Sequence, residues 1–129
     1  MLNSVMVVDD ESSIRSAVEQ WLSLSGFQVQ LFSRADECLA QLPRHFAGVI
    51  LSDVRMPVTN GFELFEKVRS IPRLKKVPFV FMSSLDDYDA KRTAKVLGAD
   101  DYIEKPFDLD YAKTIILNLL MRFRTKQQT

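Results

Sequence analysis

Gly48-Val49-Ile50-Leu51-Ser52-Asp53-Val54-Arg55-Met56-Pro57 is the stretch on which the fold turns. Val49 to Leu51 is an unbroken apolar run without the in-out alternation of a half-exposed strand, so it predicts a strand buried on both faces. The run ends at a carboxylate, Asp53, and Pro57 follows closely. Proline cannot donate into a ladder, so the chain must leave the sheet there. A carboxylate at the carboxyl end of a parallel strand lies on the edge where open α/β sheets hold their ligands. Taken alone, Asp53 would be a strand cap or a turn former. Its neighbours along the chain decide otherwise.

On the amino-terminal side, Ser4-Val5-Met6-Val7-Val8 is a β-branched run read as the first strand, and it ends in Asp9-Asp10-Glu11. Ser12 and Ser13 are good N-caps for a helix carrying Ile14, Ala17, Val18, Trp21, Leu22 and Leu24, with Gly26 as its left-handed terminus. Phe27 to Phe32 is the second strand. Ser33 with Asp36 resembles a capping box for a short helix to about Leu42, where Pro43 stops it. On the carboxyl side, Asn60-Gly61 starts a helix whose Phe62, Leu64, Phe65 and Val68 face the sheet, ending before Pro72. Val77 to Met82 is a fourth strand, leading into Ser83-Ser84. Asp86 caps a helix through Leu97 that Gly98 closes. Asp101 to Ile103 is a fifth strand, followed by Lys105-Pro106-Phe107 and a last helix from about Asp108 to Arg124.

Five alternations of strand and helix with short connections predict an α/β fold, a (βα)5 doubly wound parallel sheet of order 2-1-3-4-5. The 129 residues suit one domain, with its core over about 4–124. Lys plus Arg and Asp plus Glu number 17 each, so no net field favours nucleic acid or a membrane surface. Cys38 is the only cysteine and is read as a small core residue; it cannot close an internal disulfide. No apolar run approaches the roughly 18 residues of a spanning helix, and no basic-then-apolar leader opens the chain. The cytoplasm is the expected location. His45, in a predicted loop, is read as a surface histidine.

The strands bordering the switch point all end in polar groups: Asp9 and Asp10, Asp53, Ser83, and Lys105 just past the fifth. Three carboxylates in one crevice repel unless a cation is present. Hard oxygen ligands without a Cys or His cluster suit Mg²⁺, with Mn²⁺ as a substitute. A hydroxyl and an ammonium beside such a metal can bind phosphoryl oxygens, leaving one carboxylate as nucleophile.

These residues carry a resemblance. The chain resembles the receiver domain of bacterial two-component response regulators, the CheY-like superfamily with its flavodoxin-like fold, along nearly its whole length. The matching motifs are Val7-Val8-Asp9-Asp10-Glu11, Asp53-Val54-Arg55-Met56-Pro57 with Asn60-Gly61, Met82-Ser83-Ser84, and Gly98-Ala99-Asp100-Asp101-Tyr102-Ile103-Glu104-Lys105-Pro106-Phe107. The resemblance implies that Asp53 is the phosphoacceptor, served by a sensor histidine kinase or a histidine phosphotransfer protein. It implies Asp10 and Asp53 as Mg²⁺ ligands, Asp9 acting directly or through water, and the backbone carbonyl of Arg55 completing the set. Ser83 and Lys105 would take phosphoryl oxygens, Tyr102 would be the switch aromatic, and Pro106 would carry a cis peptide bond. The implied role is signalling rather than enzymatic, limited to self-phosphorylation from a donor and autodephosphorylation. The output is a downstream effector domain or protein.

Ser83 stands where the family more often has Thr, and Ser84 where Ala is common. Losing the methyl loosens χ1 of the switch residue. Arg55 and Leu85, each two positions past a site residue, flank the path of an attacking water and are expected to slow phosphate loss. On the last helix Ala112, Ile115, Ile116, Leu119, Leu120 and Phe123 form the buried stripe, while Leu117 and Met121 lie on the opposite face. That pair is either scattered exposed apolar surface or part of a partner or homodimer surface on the fourth helix, fifth strand and fifth helix. An aspartate-nucleophile phosphatase would need a general acid two residues after Asp53, where Arg55 cannot serve. A flavodoxin-like cofactor carrier and a P-loop enzyme both lack their phosphate loops here. A degenerate receiver that only binds partners is argued against by the full set Asp9, Asp10, Asp53, Ser83 and Lys105.

Overall fold

The stretch 49–53 is the central strand, β3 (Val49–Asp53), and every residue in it is buried. A computed structural model describes residues 4–42, 46, 48–84, 86–105 and 108–128, the side chains of 109 and 123–128 excepted. The other strands are β1 (Ser4–Val8), β2 (Gln28–Phe32), β4 (Phe79–Ser84) and β5 (Asp101–Lys105). Between and after them come α1 (Ser12–Leu24), α2 (Ala35–Gln41), α3 (Gly61–Arg69), α4 (Tyr88–Leu97) and α5 (Leu109–Gln128). A single 3-10 turn, Pro72–Leu74, precedes β4. All strand pairs are parallel and the order is β2-β1-β3-β4-β5, as expected from the alternation.

Strand alternation divides the core in two. Met6, Val8, Ile50, Phe79 and Phe81 point to the face covered by α2, α3 and α4. Val5, Val7, Val49, Leu51, Val80 and Met82 point to the face covered by α1 and α5. Both faces are apolar because both are covered, which is why these strands read as continuous runs. Phe65, Phe79 and Phe81 meet edge-on or tilted, with centroids 5.0–5.6 Å apart. Ala112, Ile115, Ile116, Leu119 and Leu120 are buried as expected, and Phe123 lies outside the described side chains.

Several local expectations are corrected. Glu11, not Ser12 or Ser13, is the N-cap of α1, and its side chain makes no capping bond. Ala17 is exposed and Leu24 is 82% exposed, because the stripe that reaches the sheet is only Val18, Leu22 and their neighbours. The Ser33–Asp36 box does not form: the Ser33 hydroxyl donates instead to Glu37, 3.1 Å away, and α2 starts after an extended Arg34. β4 begins at Phe79 rather than Val77, since Pro78 has no N–H and Val77 turns back onto Leu74. Asp87, not Asp86, caps α4, accepting the Ala90 N–H at 3.1 Å. β5 continues to Lys105, paired with Ser84, and α5 runs on to Gln128. Gly26 and Gly98 both take positive φ, as their terminating role requires. Among the described residues no helix is long and apolar enough to cross a membrane.

Candidate functional site

The carboxyl ends of β1, β3, β4 and β5 lie side by side, so their terminal residues share one edge. Asp9 follows β1 and is fully buried; Asp10, next to it, is exposed. Asp53 ends β3 with 6% of its surface exposed. One carboxylate oxygen from each of Asp9, Asp10 and Asp53 can be chosen so that all lie within 4.8 Å of one another. Lys105, at the end of β5, reaches across to them. Its Nζ is 2.7 Å from Asp9 Oδ2, 3.4 Å from Asp53 Oδ1 and 4.0 Å from Glu11 Oε1.

Backbone geometry holds these groups in place. Asp9 N–H donates to Phe32 O at 3.0 Å, and Arg15 donates to the Asp9 carbonyl at 2.7 Å. The carboxylate of Asp9 accepts the Glu11 N–H at 3.0 Å. Past Asp53, Val54 donates to Met82 O at 3.1 Å and Gly61 donates back to Val54 O at 3.0 Å, so the loop after β3 folds tightly over the strand end. A Cβ at position 61 would overlap the Asp53 carbonyl, so only glycine lets α3 start this close. Asn60 caps α3 in a reciprocal box with Glu63, at 2.9 and 3.0 Å.

The acidic edge gathers more negative than positive charge. Burial, then the neighbouring Asp9 charge, pushes the Asp53 carboxyl up to about 6, against the opposing pull of Lys105. Burial alone would lower the Lys105 ammonium, but its bonds to Asp9 and Asp53 win and hold it above its usual value. One ammonium cannot balance three carboxylates. The cluster therefore suits a hard cation, and its donors are all oxygens.

Ser83 is buried one residue beyond the Met82 that pairs with Asp53. Its hydroxyl does not point to the acidic cluster; it donates to Asp87 Oδ2 at 3.1 Å. The Arg55 side chain turns the same way, its Nε 2.9 Å from Asp87 Oδ2 and its Nη2 2.9 Å from Oδ1. The sequence does not single out Asp87, because its neighbour Asp86 is the expected cap. A second carboxylate four residues past Ser83 was the available signal. Tyr102 pairs in register with Phe81, and its hydroxyl is buried without a well-formed hydrogen bond to any described residue. Burial raises the Tyr102 phenol, and the nearby Ser83 hydroxyl pulls it the other way. Leu85 and Pro106 lie outside the described residues. Leu117 and Met121 are 39% and 62% exposed on α5.

The family model for the response regulator receiver domain matches residues 5–117. Over 124 residues the chain is 36% identical to the DNA-binding transcriptional regulator NtrC of Salmonella typhimurium, covering 96% of this chain and 26% of that protein. It is 33% identical over 120 residues to the response regulator Rre1 of Synechocystis sp., covering 92% of this chain and 52% of the relative. The chain thus spans between about a quarter and a half of these curated relatives. Among solved structures, chemotaxis response regulator CheY4 of Vibrio cholerae superposes with a TM-score of 0.77 at 34% identity, covering 95% of this chain and 99% of that one. Full-length FixJ from B. japonicum superposes at 0.87 with 30% identity, covering 98% and 61%. With the strand order and the acidic edge already in view, the match settles membership: this chain belongs to the response regulator receiver domain family of two-component signalling.

Proposed function

We propose that Asp53 is the phosphoacceptor of a Mg²⁺-dependent switch, phosphorylated by a sensor histidine kinase or a histidine phosphotransfer protein. The observation that carries this reading is the approach of Asp9, Asp10 and Lys105 to a single buried carboxylate, Asp53. Asp10, Asp53 and the Arg55 backbone carbonyl would hold Mg²⁺, or Mn²⁺ in its place, with Asp9 direct or through water. When bound, the metal neutralises charge developing on the transferred phosphoryl oxygens. An Asp53 oxygen attacks phosphorus as the bond to the donor imidazole nitrogen breaks, and the electron pair stays on that nitrogen. Lys105 shifts from Asp9 toward a phosphoryl oxygen, and Ser83 donates its hydroxyl to another.

The remaining roles follow from those movements. Tyr102 would follow Ser83, and a cis peptide at Pro106 would aim Lys105. Arg55 and Leu85 would shield the acyl phosphate from water, which for Arg55 requires its guanidinium to leave Asp87. The output surface would be α4, β5 and α5, where Lys91 and Glu104 pair at 2.6 Å beside Tyr102 and where Leu117 and Met121 lie exposed. A downstream effector, or a second copy of the chain, would bind there in the cytoplasm.

Incubation of the purified protein with acetyl phosphate and Mg²⁺, followed by intact-mass measurement, tests the reading. One added phosphoryl group is expected in the wild type and none without the metal or in Asp53→Asn. A mass that never appears, or that persists in Asp53→Asn, overturns it.

A further inference from the structure

Three parts of the chain meet on the Asp87 carboxylate. Arg55, from the loop after β3, reaches it with two nearly equal bonds of 2.9 Å, the fork-to-fork geometry of a strong guanidinium–carboxylate pair. Ser83, near the end of β4, donates to Oδ2 at 3.1 Å. Ala90, in the first turn of α4, donates to Oδ1 at 3.1 Å. The Asp87 side chain is only 14% exposed, whereas Arg55 is 63% exposed and covers it from outside. A serine hydroxyl has one proton to give. In this arrangement Asp87 has it, and no bond joins Ser83 to Asp53.

We propose that Arg55 and Asp87 form an autoinhibitory latch, with Asp87 the rival acceptor that holds the Ser83 hydroxyl away from an incoming phosphoryl group on Asp53. This rests on the reading of Asp53 and Ser83 given above. Asp87 is a positioning residue: it acts on the phosphoryl site only through Ser83. The Arg55 pair holds the Asp87 carboxylate in place beside Ser83, which keeps the latch closed. It opens when phosphoryl oxygens at Asp53 compete successfully for the serine proton. The same carboxylate caps α4 through the Ala90 N–H, so the latch ties the Ser83 hydroxyl to the first turn of the helix that borders Tyr102 and the output face.

Beryllofluoride with Mg²⁺, a non-covalent mimic of a phosphoryl group on a carboxylate, measures this directly. Its affinity is read by amide NMR titration on the whole chain. Asp87→Asn keeps the cap, because asparagine is as good an N-cap as aspartate, but turns an amide NH₂ toward Ser83 and Arg55. Beryllofluoride is expected to bind Asp87→Asn about tenfold more tightly than wild type, the worth of a hydrogen bond to a charged acceptor. Arg55→Gln shifts affinity the same way by a smaller factor, and repeats the comparison should Asp87→Asn fold poorly. In a Ser83→Ala background the effect of either change is expected to vanish, which a merely structural role for Asp87 would not produce. Wild-type binding that Asp53→Asn abolishes, with no gain in either latch variant, overturns the latch alone. An equal gain with and without the Ser83 hydroxyl overturns it too. No binding by any form overturns the parent reading and the latch together.

Discussion

Lys105 Nζ lies 2.7 Å from Oδ2 of the fully buried Asp9, nearer than its 3.4 Å approach to Asp53. The ammonium therefore serves as the resident counter-charge of the acidic edge, held at the Asp9 side until something displaces it. Removing one partner of a buried pair leaves the other charged and desolvated, a larger effect than the net value of the pair.

Lys105→Met should therefore lower the stability of the metal-free protein by about 3 kcal/mol at neutral pH. Mg²⁺ should restore much of that loss, since it supplies the missing positive charge. Urea denaturation with and without Mg²⁺ measures both effects. An unchanged midpoint without metal would show that Lys105 carries no electrostatic load here.

Asp53 titrates at about 6 in the folded chain against an ordinary 3.8. The folded protein thus holds this proton more tightly than the unfolded chain, so the stability it contributes is complete below 3.8 and is lost as pH rises through about 6. Asp53→Asn should be more stable than wild type at pH 7 without metal, by about 2–3 kcal/mol. That advantage should disappear below pH 4 and shrink on adding Mg²⁺. Thermal unfolding across this pH range separates it from a uniform gain.

Val58 is the one described non-glycine residue with positive φ, at 68°, and it stands 82% exposed in the loop after β3. The Thr59 N–H bonds back to Pro57 O at 2.9 Å around it, closing a tight turn that strains a β-branched residue. Relief of about 1–3 kcal/mol of strain exceeds the extra chain entropy glycine loses on folding. Val58→Gly should raise stability by about 1 kcal/mol, seen as a higher denaturant midpoint with an unchanged slope.

Asp100 anchors the opposite, amino-terminal edge of the sheet. Its Oδ2 accepts the Phe79 N–H at 2.8 Å and Arg69 Nη2 at 3.0 Å, while Arg69 also donates to Val77 O at 2.7 Å and lies over the Phe65 ring. Asp100→Ala leaves a partly buried N–H and a half-buried guanidinium without that acceptor, at about 2–3 kcal/mol. Phosphorylation by acetyl phosphate should persist under conditions where the variant stays folded.

Much of this was legible in the chain itself. Val49 to Leu51 and Phe79 to Met82 are apolar on both faces because both faces are covered, and that shows as an unbroken run. Asp9, Asp10, Asp53 and Lys105 could be placed on one edge because every strand points the same way, so each strand's end is a position along the sequence. Caps fared worse. Asp86 and Asp87 are equal candidates by composition, and only the bonds to Arg55, Ser83 and Ala90 distinguish them.

Periodicity and strand ends are local properties, governed by residues a few positions apart, and they determined the alternation, the order of elements and the acidic edge. The direction each polar side chain takes belongs to the tertiary structure alone. Arg55 and Asp87 are 32 positions apart, and Lys105 and Asp9 are 96 apart. No local pattern constrains such pairs, because sheet register and loop path must exist before the atoms can meet. That is why the place of Ser83 near the end of β4 could be read from the sequence, while its bond to Asp87 could not.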